Sequence, residues 1–284
     1  MQEVRPISQS TYSRAWAGSG SWLAGRLSWL RRPDILMIPL VLIAFLLLWE
    51  AVIWLGDYPA FILPSVVDVL KAFGQVLSNG ILWRHSQTTL FEVSGGLALG
   101  LSLATLLGYT LAKNPAVERL IAPYLVASQS IPTVAIAPLL IIWFGAGQLS
   151  KVLICALIVF FPALINTIVG IRSVDEDLRE LMRSLKAGRW QTFRMLEVPA
   201  ALPILLGGLK VSVTLSVVGA VVGEFVGADQ GLGFLINQAR GLFNTPLVFV
   251  AMITLVLLTI SLYTAVSLLE RYLLRWRRHY KPAG

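Results

Sequence analysis

Long apolar runs alternate with short polar gaps along the whole chain. A helix rises about 1.5 Å per residue, so a run of about 20 apolar residues is long enough to cross the hydrocarbon core of a bilayer. Six such runs are present, at about 35–55, 90–112, 119–144, 151–171, 204–226 and 246–268. The pattern predicts an all-α integral membrane protein with six transmembrane helices.

Two of these runs carry residues that shape helix packing. The second contains Gly95, Gly96 and Gly100, which allow a neighbouring helix to approach closely. The third is interrupted by Pro123, Pro132 and Pro138. Prolines this dense predict kinks or a break whose freed carbonyl groups face protein or water, as a gate or pathway requires. A kinked helix that only packs is the alternative.

The polar gaps divide the chain into four parts. Residues 1–34 form a polar tail, and 35–83 hold the first transmembrane helix and an external segment with an amphipathic helix over 66–77. Residues 84–270 form the transmembrane core, with a central polar loop at 172–200, and 271–284 form a basic tail.

Composition supports a membrane protein, because 56% of the residues are hydrophobic and only 13% are charged. The net charge of +8 does not indicate nucleic acid binding, since the basic residues lie in the gaps between apolar runs. With six helices and both termini inside, eighteen Lys and Arg lie on the inner side, against four outside: Lys71, Arg84, Lys151 and Arg240. The positive-inside rule therefore predicts that both termini and the central loop are cytoplasmic.

Signatures of an enzyme are missing from the sequence. No Gly-x-x-x-x-Gly-Lys-Ser/Thr phosphate loop is present, so the chain does not hydrolyse ATP by that route. His85 and His279 lie far apart and form no metal site with Cys155, which we expect to be a small buried hydrophobe. We expect no cofactor in this chain.

Ionisable and polar residues within apolar runs are costly there and are candidates for a transport pathway. Lys210 either extends to the interface or lines the inner mouth of a pathway. Glu224 either pairs with a helix end or contacts a partner outside. Asn166, Pro132 and Pro138 complete the candidate set.

The central loop is a basic island in this apolar chain. Residues 180–187 have the pattern of a short helix, and Gly188 can end it. Trp190 to Leu196 predict a second short helix that stops before Pro199. Such a helix-turn-helix at the cytoplasmic interface offers a docking surface.

This loop resembles the EAA loop of ABC importer permeases, whose pattern is Glu-Ala-Ala, three residues, Gly, nine residues, then Ile-x-Leu-Pro. Glu180, Leu196, Val198 and Pro199 match that pattern in position. Three residues depart from it: Leu181, Met182 and, at the usual Gly position, Lys186. Because a left-handed turn disfavours Lys, we expect the turn to move to Gly188.

The resemblance extends over most of the core, where the chain is similar to the nitrate, sulfonate and taurine branch of these permeases. It rests on 131–145 (IPTVAIAPLLIIWFG), 160–167 (FFPALINT), 219–228 (GAVVGEFVGA) and 231–233 (GLG). Within that branch the chain looks most like permeases for riboflavin and for the thiamin pyrimidine precursor.

The resemblance implies a type I ABC importer permease fold in the bacterial inner membrane. It also implies pairing with a second copy, two cytoplasmic ATPase subunits that use ATP, and an external substrate-binding protein. The residues it implicates in coupling to the ATPase are Glu180, Leu181, Met182, Ser184, Leu185, Gly188 and Pro199. Two alternatives remain: a secondary transporter driven by an ion gradient, and a membrane scaffold without a pathway.

Overall fold

The computed structural model describes residues 33–276, and within that range the chain is helical, with no β-strand. Most of the two predicted tails, 1–34 and 271–284, lies outside the described residues, and so does His279. The all-α prediction is confirmed.

The helices belong to two compact units, Met1–Tyr58 and Pro59–Gly284. In the first unit, α1 covers Pro33–Gly56 and contains Pro39. The second unit holds nine helices among its described residues: α2 (Val66–Ser78), α3 (Ile81–Lys113), α4 (Pro115–Gln129), α5 (Thr133–Phe144), α6 (Gln148–Arg172), α7 (Glu176–Ser184), α8 (Arg189–Gly227), α9 (Leu232–Gly241) and α10 (Thr245–Leu273).

Five of the described helices, α1, α3, α6, α8 and α10, are long and apolar enough to cross a membrane. The count rises to six if α4 and α5 form one span, and these two helices meet at 89°. The break comes just before Pro132, which precedes the first residue of α5. Pro123 and Pro138 lie inside α4 and α5. The predicted interruption of the third run is therefore confirmed.

Close contacts between α3, α6 and α8 form the core of the second unit. A Cβ added to Gly100 of α3 would lie 2.7 Å from the Ala156 carbonyl oxygen of α6, and one added to Gly219 of α8 would lie 2.9 Å from Cys155 Cα. The prediction of close helix approach at 95–100 is confirmed. Cys155 is fully buried between the two neighbouring helices.

The amphipathic helix predicted over 66–77 is confirmed as α2, whose first turn is capped by Ser65. The Ser65 hydroxyl oxygen accepts a hydrogen bond of 3.1 Å from the Asp68 backbone N–H. Val69 and Val76 of this helix are buried against the core.

Two parts of the helix pattern differ from the prediction. The second helix of the central loop does not stop before Pro199, because α8 runs through it from Arg189. A wide π turn at Phe193–Glu197 precedes the proline, and there the Val198 N–H bonds to the Phe193 carbonyl, five residues back. This shifted pattern accommodates a proline that has no N–H to donate. The second difference is α9, which lies in the gap between the fifth and sixth apolar runs, where no helix was predicted.

Candidate functional site

The central loop folds into α7 because its sequence satisfies both ends of a short helix. The Asp175 carboxylate accepts a hydrogen bond of 3.0 Å from the Asp177 backbone N–H at the start of the helix. Glu176 and Asp177 lie in the first turn and Arg183 in the last, which matches the helix dipole at both ends.

One side of α7 is fixed to the end of α6. The Arg179 side chain donates a hydrogen bond of 2.8 Å to the Ile171 carbonyl oxygen. Val174, in the connection between the two helices, is buried. These contacts hold α7 against the membrane-spanning part of the chain.

The other side of α7 carries an exposed apolar stripe, formed by Leu178, Leu181 and Leu185. Their exposed fractions are 46%, 52% and 68%. Spacings of three and four residues place the three side chains on one helical face. Glu180 and Ser184 are exposed as well, and Met182 is partly buried. An exposed apolar stripe on a polar loop is typical of a docking surface.

The turn after α7 stays at Lys186, so the expected move to Gly188 is wrong. Lys186 has a φ of +53°, whereas Gly188 is extended at −67°. Lys186 N–H donates to the Arg183 carbonyl over 2.9 Å, and Ala187 N–H donates to the Met182 carbonyl over 3.0 Å. This is the hydrogen-bond pair of a Schellman motif, and it outweighs the left-handed strain of about 1 kcal/mol at a lysine.

Gly188 begins α8 instead of ending α7. Its backbone N–H donates a hydrogen bond of 2.8 Å to Gln191 Oε1, and its carbonyl accepts one of 3.0 Å from the Thr192 N–H. Pro199 is the second residue after the π turn and is partly buried within α8.

An ion pair with a buried carboxylate joins this junction to α3. Glu197, at the end of the π turn, is 2% exposed and forms a salt bridge with Lys113. The Tyr109 hydroxyl donates to Glu197 over 3.2 Å, and the Tyr109 ring meets that of Phe193 edge to face at 5.4 Å. Sequence reasoning missed Glu197, although a carboxylate next to the membrane core was a detectable signal.

A cavity of about 650 Å³ lies between α7, the end of α3 and the start of α8. Four of its lining residues are basic: Lys113, Arg179, Arg183 and Arg189. The Glu197 salt bridge forms part of its wall. The helix that carries the coupling candidates thus borders a large polar cavity.

The five pathway candidates occupy separate places. Pro132 and Pro138 belong to the bent pair α4 and α5. Asn166 donates a hydrogen bond of 2.8 Å to the Pro162 carbonyl oxygen, and its side chain fills the space beside Gly208 of α8. Asn166 therefore packs α6 against α8.

Lys210 and Glu224 each have partners within the chain. Lys210 forms a salt bridge with Glu270 of α10 and lies 5.7 Å from the ring centre of Tyr263. Glu224 accepts a hydrogen bond of 2.6 Å from the Thr89 hydroxyl and another from the Gly233 N–H in the first turn of α9. Glu224 thus binds a helix end, one of its two predicted alternatives.

Glu224 belongs to a polar cluster at the end of the helices opposite α7. His85 Nδ1 accepts a hydrogen bond of 3.0 Å from the Gly231 N–H, and Thr89 Oγ1 accepts one of 2.8 Å from the Leu232 N–H. Glu92 and Lys151 are buried nearby. No group of three metal-ligating side chains occurs among residues 33–276.

Comparison with known families decides what this arrangement belongs to. Residues 96–279 match the family described as binding-protein-dependent transport system inner membrane component. The chain belongs to this family. It is therefore a multi-pass inner membrane component of a transport system, and both the ABC importer resemblance and the predicted fold class are confirmed.

Curated relatives of this permease cover most of both chains. It is 53% identical over 239 residues to the riboflavin transport system permease protein RibX of Chloroflexus aurantiacus, covering 84% of this chain and 89% of that protein. It is 38% identical to the formylaminopyrimidine transport permease protein ThiX of Halalkalibacterium halodurans, with 84% and 95% covered. A putative aliphatic sulfonates permease, SsuC of Bacillus subtilis, is 35% identical, with 87% and 88% covered.

The fold is also that of a solved importer. An inward-facing structure of the MetNI methionine ABC transporter aligns with a TM-score of 0.57 and 20% identity, covering 68% of this permease and 94% of that chain. At this identity the likeness concerns the fold alone.

Proposed function

We propose that this permease imports riboflavin across the inner membrane, driven by ATP that a separate ATPase subunit hydrolyses. The observation that carries the substrate is the 53% identity to a riboflavin permease over 84% of the chain. A formylaminopyrimidine is the second candidate, because a permease named for that compound is 38% identical over the same share.

In this proposal α7 is the coupling helix that docks on the ATPase. Its support is the stripe of Leu178, Leu181 and Leu185, exposed on one face while Arg179 fixes the other side to α6. Glu180 and Ser184 border the stripe and add polar contacts at its edge. Motion of the ATPase reaches the membrane through α8, since α7 and α8 are joined by only four residues.

The salt bridge between Lys113 and Glu197 extends that route to α3. A shift of the π turn carries Glu197 with it, and the paired Lys113 transmits the shift to the end of α3. The spans then change between inward-open and outward-open states, as alternating access requires.

The remaining partners follow from the family and the charge pattern. An external binding protein delivers the substrate, a second copy of this permease completes the pathway, and both termini and α7 face the cytoplasm. The support for this orientation is the excess of basic residues on the α7 side of the predicted topology.

Substrate uptake tests the proposal in cells that express the permease with its ATPase and binding protein. Labelled riboflavin, a formylaminopyrimidine and taurine are offered separately, with and without ATP depletion. Uptake of riboflavin that stops on ATP depletion supports the proposal. Uptake of only another compound replaces the substrate, and uptake that stops only on collapse of the ion gradient indicates a secondary transporter.

A further inference from the structure

A polar cavity opens at the end of the helices opposite α7. Its volume is about 220 Å³, and it is lined by Thr88, Glu92, Gly147, Gln148, Lys151, Asp229 and Gln230. We call it the Glu92 cavity. Glu92 and Lys151 are 1% and 2% exposed and form its inner part, whereas Gln148 and Asp229 are exposed and form its rim.

Glu92 has an unsatisfied hydrogen-bonding atom. Its Oε2 is buried and accepts no hydrogen bond within the part of the chain that the structure describes. A buried polar atom left without a partner destabilises the fold, and a charged one does so more strongly. A ligand that donates a hydrogen bond to Glu92 therefore removes this destabilisation.

The second carboxyl group of the cluster, that of Glu224, has hydrogen-bond partners, so the unsatisfied oxygen is particular to Glu92. Glu224 lies close to Glu92, but its own carboxylate is held by the Thr89 hydroxyl and the Gly233 N–H. Glu224 fixes α9 to α3, and Glu92 keeps one oxygen available to the cavity.

Lys151 supplies hydrogen-bond donors to the same cavity. One N–H of its ammonium group donates to the Ala146 carbonyl, and an ammonium group carries three donors. Among the described residues Lys151 forms no salt bridge, although Glu92 and Asp229 are close enough to act on its charge. The cavity thus offers a free acceptor and free donors together.

We propose that the Glu92 cavity binds the hydrogen-bonding edge of a planar nitrogen heterocycle, with its ring N–H donating to Glu92 and an adjacent ring carbonyl accepting from Lys151. The imide edge of riboflavin has this N–H and carbonyl arrangement. The inference rests on the proposed function and identifies the part of the substrate that this cavity recognises.

The size and charge of the cavity fit this group better than a metal ion. At about 30 Å³ per water molecule, 220 Å³ holds about seven waters, which is the space of one substituted six-membered ring. The remaining rings and side chain of riboflavin lie beyond the rim at Gln148 and Asp229. The Lys151 ammonium repels a metal cation at the same place.

Protection of an introduced thiol tests the proposal independently of transport. The sole cysteine of the chain, Cys155, is fully buried and does not compete for a polar thiol reagent. In the permease reconstituted with its ATPase, Gln148→Cys places a thiol on the rim. Leu242→Cys, at a residue 71% exposed in the loop after α9, is the matched control. We expect riboflavin to slow labelling of the first thiol at least tenfold and not the second.

The contribution of Glu92 is measured in the Gln148→Cys background. We expect Glu92→Gln to raise the riboflavin concentration that protects the thiol at least tenfold, because the amide replaces one of the two side-chain oxygens with an NH2 group that donates instead of accepting. Riboflavin methylated on the imide nitrogen protects weakly in both backgrounds. Glu118→Gln, which removes a carboxylate near the other end of the helices, leaves protection unchanged. Thermal melting checks that each variant folds.

Two results overturn the proposal while leaving the proposed function intact. In the first, riboflavin is taken up but does not protect Gln148→Cys. In the second, protection is the same with Glu92→Gln. If riboflavin is neither taken up nor protective, the proposed substrate is wrong. Protection of the same thiol by a formylaminopyrimidine then decides whether the cavity is a substrate site. Protection that depends on Glu92 shows that the cavity binds an exocyclic N–H of the pyrimidine in place of a ring N–H, and no protection overturns the site.

Discussion

At the scale of single residues, Lys186 is the clearest case of local strain in the loop. Its φ of +53° puts the backbone of a residue with a Cβ in the left-handed region, and two backbone hydrogen bonds hold it there. We predict that Lys186→Gly raises the free energy of unfolding by about 0.5–1 kcal/mol, since the strain disappears while the unfolded chain gains some freedom.

Thermal melting of the purified permease measures this effect. Lys186→Ala is the matched control, because it removes the charge and keeps the Cβ, and we expect its melting temperature to stay near that of the wild type. A melting temperature that rises equally in both variants would assign the effect to the lysine charge and contradict the strain.

The two partners of the Lys113–Glu197 ion pair differ in burial, so we predict that losing one costs more stability than losing the other. The Lys113 side chain is 36% exposed and the Glu197 side chain 2%. Lys113→Met leaves the buried Glu197 carboxylate with only the Tyr109 hydroxyl as a partner and is expected to cost about 3 kcal/mol, the lower end of the range for a buried pair. Glu197→Gln leaves a lysine that can turn to water, so its cost is smaller.

The double variant Lys113→Met with Glu197→Leu removes both charges and is expected to recover most of the loss of Lys113→Met alone. Chemical or thermal unfolding of all three variants in one detergent measures the three costs. Equal destabilisation by the two single variants would show that burial of Glu197 does not set the cost.

At the scale of elements, the contact of α3 with α6 depends on the absence of a side chain at Gly96. A Cβ at this position would overlap the Cys155 side chain and approach the Val152 carbonyl oxygen at 2.9 Å. We predict that Gly96→Ala destabilises the fold by about 1–3 kcal/mol, as overpacking does.

Gly207→Ala in α8 is the control for that substitution, because an added Cβ there has no atom within 4 Å. It is expected to be neutral or stabilising by up to about 1 kcal/mol, since Ala favours helix. Melting temperatures of the two variants measure the difference, and equal values would contradict close packing at Gly96.

The sequence predicted those elements whose signal is local. Apolar runs of about 20 residues located the spans, and the amphipathic pattern over 66–77 located α2. It did not predict that α8 continues through Pro199, because a π turn depends on how the chain is held by Tyr109 and Lys113 of another helix. No helix was predicted before α10, because the first turn of α9 is held by Glu224 at the end of α8 and by Thr89 of the distant α3.

The same distinction applies to the candidate site. The coupling candidates, apart from Pro199, lie within one short stretch, 180–188, whose pattern is visible in the sequence. Glu92 and Glu197 were not selected as candidates, because their burial and their neighbours, about 60 to 130 positions away along the chain, are not visible in the local sequence. For Glu92 the decisive feature is an oxygen atom that has no hydrogen-bond partner in the described residues. The left-handed turn lies at Lys186, although residue preference predicted it at Gly188. Backbone hydrogen bonds at the end of α7 fix its position.

At the scale of the whole molecule, the proposed orientation puts α7 and the Glu92 cavity on opposite sides of the membrane. Because Cys155 is buried, single thiols report the topology without a background signal. We predict that a membrane-impermeant reagent added to intact cells labels Leu242→Cys and not Leu185→Cys. Permeabilised cells serve as the control, in which both thiols react. The reverse pattern would place α7 outside and contradict its docking on a cytoplasmic ATPase.

Coupling through α7 is the central claim, and uptake by proteoliposomes tests it most directly. The permease, its ATPase and its loaded binding protein are reconstituted, and ATP-dependent uptake and bound ATPase are measured for wild type and for Leu181→Asp with Leu185→Asp. Leu242→Asp, at an equally exposed leucine on the opposite end, is the control. We predict that the double variant loses at least about tenfold in both quantities, because two charges disrupt an apolar contact, while the control keeps both. Undiminished uptake by a correctly folded double variant would contradict the claim that α7 couples ATP hydrolysis to transport.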